Sequence, residues 1–234
     1  MSSQPSVRMN PKQHAVRHLA AFLLILLAAI AGSANAKEST LCTSNQPDGD
    51  TVAGRIADVS AGTVTGGRPI GLRQVLDNPA STCNEGSCAA NAGANGLKLG
   101  QSGPWVCISV PGKGKLGTQY GWIPAERWHA SKSNAQSPGQ WVGVWQNEWA
   151  RITIESTDAN QLHLQGNAIW GPEANPHFGG FDVTAVPEND LVVNESDGCQ
   201  IAVRVVGDFL IAADNHACGG LNVTFNGMYR LRHH

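Results

Sequence analysis

Strict alternation of apolar and polar residues marks the second half of the chain. Arg151-Ile152-Thr153-Ile154-Glu155, Gln161-Leu162-His163-Leu164-Gln165 and Ile201-Ala202-Val203-Arg204-Val205 each read as a strand with one buried face. Gly207-Asp208 separates the last of these from Phe209-Leu210-Ile211-Ala212, and Asn226-Gly227 lies between Val223-Thr224-Phe225 and Met228-Tyr229-Arg230. Both dipeptides suit the positive φ of two-residue hairpin turns, so two hairpins are expected there. About eight strands in residues 140–234 predict a small antiparallel barrel or sandwich.

The first half is less regular. Residues 52–59, 71–75 and 105–110 read as strands. Residues 78–95, rich in Ala, Asn, Gly, Ser and Cys, read as a long loop pinned by Cys83 and Cys88. Residues 130–139 are small and polar, with no apolar period, and read as a linker. No amphipathic helix stands out. The 27 glycines agree with short strands joined by tight turns. The expected fold is therefore mostly β. It comprises a leader over 1–36, a β domain over 37–129, the linker 130–139 and a second β domain over 140–234.

The leader carries Arg8, Lys12 and Arg17 without an acid, then an apolar run over 19–30, then Ala34-Asn35-Ala36. That is the pattern of a secretory signal peptide cleaved before Lys37. The run is too short to span a bilayer comfortably, so no stable membrane insertion is expected after cleavage. The location expected is periplasmic or secreted. All six cysteines follow the leader, and an even number in an exported chain reads as disulfides rather than zinc ligands. Cys199 and Cys218, alone in the second half, should pair. The other four allow three connectivities, of which Cys83 with Cys88 and Cys42 with Cys107 is favoured.

Charge divides unevenly. Residues 37–138 hold nine Lys or Arg against seven Asp or Glu, whereas residues 139–234 hold four against eleven. An acidic half of that kind repels phosphate backbones, which argues against nucleic acid as a partner. It could speed encounter with a basic protein.

Residues Trp105-Val106-Cys107-Ile108-Ser109-Val110, the Gly-Lys loop over 112–117 and Tyr120-Gly121-Trp122-Ile123-Pro124 resemble the end of a bacterial SH3-like domain, with Gly71-Leu72-Arg73 matching its start. The resemblance covers roughly residues 70–128 and implies a small barrel with a binding groove. On that reading Trp105 and Tyr120 flank the groove, Trp122 supports it, Trp128 borders it, and Lys113 and Lys115 meet anionic groups. Gly143-Val144-Trp145, with Arg230 and Arg232 near the end, resembles faintly the calycin superfamily of lipocalin-type barrels. That likeness implies an Arg laid over a Trp at the barrel base.

No catalytic set can be assembled. Gly100-Gln101-Ser102-Gly103-Pro104 lacks the closing Gly of a nucleophile elbow, and the Gly112–Lys115 stretch lacks phosphate-loop spacing. No metal set and no cofactor are expected. His163 should face solvent, while His177 lies in a loop over 171–180 suited to recognition. Asp214-Asn215-His216 reads as a turn bordered by the Cys218 disulfide. The seven Trp, against five Phe and two Tyr, favour binding of sugar rings or protein hot spots. Of the run Trp141, Trp145 and Trp149, Trp145 should be core. The function expected is non-enzymatic binding in the cell envelope, to wall glycan or peptide or to a protein partner. The alternative is an inhibitor or immunity protein against a basic wall-degrading enzyme.

Overall fold

The structure, a computed structural model, describes residues 41–43, 51–83, 88–112, 117–131, 138–157 and 160–232. Residues 39–234 belong to one compact unit. The described residues are mostly β, with one short α-helix among them, α1 (Gly54–Ala57), and two antiparallel sheets. Among the described residues no helix is long and apolar enough to cross a membrane.

The first sheet contains β1 (Ser60–Val64), β2 (Ile70–Arg73), β3 (Thr82–Cys83), β4 (Ala89–Ala90), β5 (Asn95–Ser102), β6 (Trp105–Pro111), β7 (Thr118–Pro124) and β8 (Trp128–Ala130). They run in the order β3-β2-β7-β6-β5-β1-β8, with β4 paired to β2, as a half-barrel. The strand expected over 52–59 is instead α1 and its flanking turns; Thr51 Oγ1 accepts the Gly54 N–H at 3.0 Å in the turn that leads into the helix. The expected loop over 78–95 contains the short strands β3 and β4, both laid against β2.

The second sheet contains β9 (Gly143–Gln146), β10 (Ala150–Ser156), β11 (Leu162–Trp170), β12 (His177–Ala185), β13 (Leu191–Ser196), β14 (Cys199–Val206), β15 (Phe209–Asp214) and β16 (Gly227–Leu231). Their order, β12-β11-β10-β9-β16-β15-β14-β13, curls into a barrel closed everywhere except between β12 and β13. The turn at Gly207-Asp208 forms as expected, with Gly207 at φ 62°. The hairpin expected at Asn226-Gly227 does not form. Residues 223–226 are not a strand, and β16 begins at Gly227. Asn226 is buried and its Oδ1 accepts the Asp214 N–H at 2.6 Å. The amide is used to satisfy a buried backbone donor, and Gly227 takes up only the positive φ, 134°.

Alternation places three cores. One fills the barrel, with Trp141, Trp145, Ile152, Leu164, Val203, Leu210 and Tyr229 among its members. Another, with Val106, Ile108, Val110 and Ile123, fills the half-barrel. The third lies between the sheets and joins Leu97, Leu99, Cys107 and Trp122 to Ala202, Phe209, Ile211 and Met228. Strands β14 and β15 therefore bury both faces, one inside the barrel and one against the first sheet. At ~25 cal/mol per Å² of apolar surface removed from water, this shared layer contributes to the stability of both sheets at once. Polar contacts cross the same boundary: Arg55 donates to the Asp214 carbonyl at 2.9 Å and Arg230 to the Gly117 carbonyl at 3.2 Å.

Cys42–Cys107 and Cys199–Cys218 are disulfide-bonded, in agreement with the expected pairs and with the chemistry of an oxidising compartment. Cys88 is also disulfide-bonded. The Cys83 side chain lies outside the described residues.

Candidate functional site

The outer face of β10, β11 and β12 bears the most exposed aromatic surface among the described residues. Leu162, Leu164 and Ala168 point into the barrel, so Gln165, Asn167 and Ile169 point out. Across the β11–β12 ladder Ile169 opposes Phe178, Asn167 opposes Gly180 and Gln165 opposes Asp182. Phe178 is 65% exposed, Trp149 54%, Ile169 44% and Trp170 40%. Trp149, Ile169 and Phe178 line one cleft, and a grouped exposed apolar patch is the property of a recognition surface.

Trp149 is held beside this ladder because its carbonyl accepts the Ile169 N–H at 3.0 Å. Its own N–H donates to Asn147 Oδ1 at 2.9 Å, which fixes the tight β9–β10 turn. A shallow cleft of about 360 Å³ opens between Trp149, Ile169 and Phe178 and is rimmed by Gln146, Glu148, Arg151 and Asn167. Flat apolar planes with amide, carboxylate and guanidinium groups at their edge can stack against a ring and hydrogen-bond its substituents. The Trp170 and His177 rings lie 5.7 Å apart at the hairpin end.

Along the same face a polar row continues. His163 Nε2 lies 2.7 Å from Asp182 Oδ1, and Gln165 Nε2 donates to Asp182 Oδ2 at 3.5 Å. Beyond it, at the open side of the barrel, a cleft of about 490 Å³ is lined by Asp182, Asn194, Ser196 and Asp197, with Phe181, Ile201 and the Cys199–Cys218 disulfide at its base. Asn167 borders both clefts, so they form one continuous strip.

The residues expected from the sequence fall into different places. Trp105 and Tyr120 stand on the face of β6 and β7 that turns toward the shared core, and both are half-buried against it. Arg73 lies over the Trp105 ring, 4.2 Å from its centroid. Tyr120 offers its carbonyl to Gln74 Nε2 at 2.6 Å. Trp122, on the same face, is buried. Trp128 is half-buried over Gly62, where a Cβ would collide with the indole, and its Nε1 is buried without a hydrogen bond. Lys113 and Lys115 lie outside the described residues. His177 is the first residue of β12, so residues 177–180 of the expected loop are strand and the connection is confined to 171–176.

Trp145 is core as expected. Trp141 is fully buried too, its carbonyl accepting the Trp145 Nε1–H at 2.8 Å, while Trp149 is exposed. Sequence reasoning missed the grouping of Trp149, Ile169, Trp170 and Phe178. The signal available was parity: extending the Leu162–Leu164 alternation puts the apolar Ile169 at an outward position.

A second polar group was read from the sequence only as a turn. Asp214 is fully buried; Oδ2 accepts the Phe225 N–H at 2.6 Å, and Oδ1 accepts the His216 N–H and the Thr224 hydroxyl, each at 3.0 Å. Its acceptors are filled by two backbone N–H groups and the Thr224 hydroxyl, so it anchors the 215–226 segment. Tyr229 lies nearby, donating to the Phe225 carbonyl at 2.7 Å. Burial first, then the Asp214 charge, pushes the Tyr229 phenol well above its ordinary value of 10.0.

No protein-family model, curated protein or solved structure matches this chain.

Proposed function

We propose that this chain is an exported, non-enzymatic binding protein of the cell envelope that holds wall glycan on the outer face of β10–β12. The observation that supports this reading is the exposed group Trp149, Ile169 and Phe178 around a shallow cleft rimmed by Gln146, Arg151 and Asn167. A pyranose ring has an apolar face of C–H groups and an equator of hydroxyls. Aromatic planes meet the first, and amide or guanidinium side chains meet the second. The SH3-like resemblance of residues 70–128 gives the same class of ligand. The aromatic end of the barrel is favoured over Trp105 and Tyr120 because those two pack half-buried against the shared core. The leader over residues 1–36 and the disulfides favour the periplasm or the exterior.

Retention on purified sacculi at low salt tests the reading. The wild-type protein is expected to sediment with the sacculi, and a Trp149→Ala/Phe178→Ala variant to stay in solution. Equal retention of the two proteins, or none of either, overturns it.

A further inference from the structure

The barrel is one pairing short of closure, and the backbone shows which groups are left over. The Gly180 N–H donates to the Cys218 carbonyl and the Phe178 carbonyl accepts from the Gly220 N–H, both at 3.0 Å. Even-numbered residues of β12 therefore direct their backbone groups away from β11. On β13, Leu191 exchanges both backbone bonds with Glu188, at 2.8 and 3.0 Å, so its odd-numbered residues direct theirs away from β14. Asp182 and Thr184 on one side, and Val193 and Glu195 on the other, thus face the open seam. Beyond the Glu188–Leu191 turn β12 and β13 do not pair with each other, and they form the two ends of the sheet.

Open strand edges of this kind accept an added strand. The surroundings select its character. The cleft along the seam is lined by Asp182 and Asp197, with no Lys or Arg among its described lining residues, and Glu195 lies on the same edge. Its base is apolar, formed by Phe181, Ile201 and the Cys199–Cys218 disulfide. Side chains alternate along a strand, so a segment laid here meets the carboxylates with one set and the apolar base with the other. We propose that the β12–β13 seam binds an extended segment of a protein partner in which Lys or Arg alternates with apolar residues, adding as a strand to the open barrel edge. The seam cleft adjoins the aromatic cleft at Asn167, but the edge strands and carboxylates that define it lie outside the aromatic group, and the proposal does not depend on glycan binding.

The test uses the full disulfide-bonded protein and three short peptides: one alternating Lys and Val, one alternating Glu and Val, and the Lys–Val peptide with a central Pro. Amide exchange is followed at Asp182, Thr184, Val193 and Glu195. The Lys–Val peptide is expected to slow exchange at these amides about tenfold or more, an effect weakened by salt. The Glu–Val and Pro-interrupted peptides are expected to leave them unchanged. Asp197→Asn keeps a residue that tolerates the turn's positive φ and is expected to weaken Lys–Val binding several-fold, roughly 3–10 times. Protection of these amides in the free protein, which would mean that β12 and β13 zip together, overturns the proposal. So does equal protection by the basic and acidic peptides, or protection by none.

Discussion

Arg204 Nη1 donates to the Ala57 carbonyl at 2.6 Å, joining residues 147 positions apart. The same nitrogen reaches the Val59 carbonyl at 2.9 Å and the Ile56 carbonyl at 3.3 Å. A cation from the outer face of β14 thereby satisfies the C-terminal carbonyls of α1. Arg204→Ala leaves the part-buried Ile56 and Val59 carbonyls without this donor, while water can reach the exposed Ala57 carbonyl, and is expected to cost about 1–3 kcal/mol. Urea melts followed by Trp fluorescence measure it. A change under half a kcal/mol would show that water replaces the guanidinium without loss.

The Cys42–Cys107 and Cys199–Cys218 disulfides should differ in weight. Cys42–Cys107 spans 65 residues and Cys199–Cys218 spans 19. Chain-entropy arguments give about 4 kcal/mol for the longer loop and about 3 for the shorter. Paired Ala variants of each bridge, compared by thermal melts, should rank in that order. The reverse ranking would place the main effect of the bridges in the native state.

Asp214→Asn is expected to destabilise by roughly 3–5 kcal/mol. Oδ1 and Oδ2 both act as acceptors, so an amide must turn its NH₂ toward at least one N–H or lose that bond. Chemical denaturation measures the loss. A stable Asn variant would show that the 215–226 segment can rearrange around the amide.

Tyr229 sets an alkaline limit. A phenol whose folded pKa is raised favours the folded state fully below its unfolded value, about 10, and that contribution is lost as pH climbs toward the folded value. Stability should therefore fall above pH ~10, and Tyr229 should ionise only as the barrel opens. Phenolate absorbance recorded beside circular dichroism tests this in a Tyr120→Phe background. Ionisation of Tyr229 ahead of unfolding would show that the phenol is accessible in the fold.

The aromatic end should separate binding from folding. Trp149→Ala and Phe178→Ala are expected to change stability by no more than about 0.5 kcal/mol each, as exposed substitutions do. Trp145→Ala, deep in the barrel core, is expected to cost about 3–5 kcal/mol. Thermal melts of the three variants make the comparison, and a large loss from Phe178→Ala would place it among the supports of the barrel.

Local physics was legible in the chain. Period-2 alternation marked β10, β11 and β14, because a half-buried strand needs it. Gly207-Asp208 marked its hairpin, because a positive φ is a property of the residue itself. The pairing of Cys199 with Cys218 followed from their position. Three things were decided only by long-range contact. Residues 52–59 are apolar enough for a strand, yet α1 forms because Arg204 and the shared core hold it from the far half of the chain. Asn226-Gly227 carries hairpin chemistry, but a buried Asp214 backbone N–H claims the Asn side chain first. The aromatics divide the same way. Trp105 and Tyr120 match an exposed groove in sequence but face the second sheet in the fold. Trp149, Trp170 and Phe178 are brought to one exposed end by the β9–β10 and β11–β12 turns. An indole carries no mark of which neighbour will cover it; burial is set by the packing of whole sheets, and that information is not local.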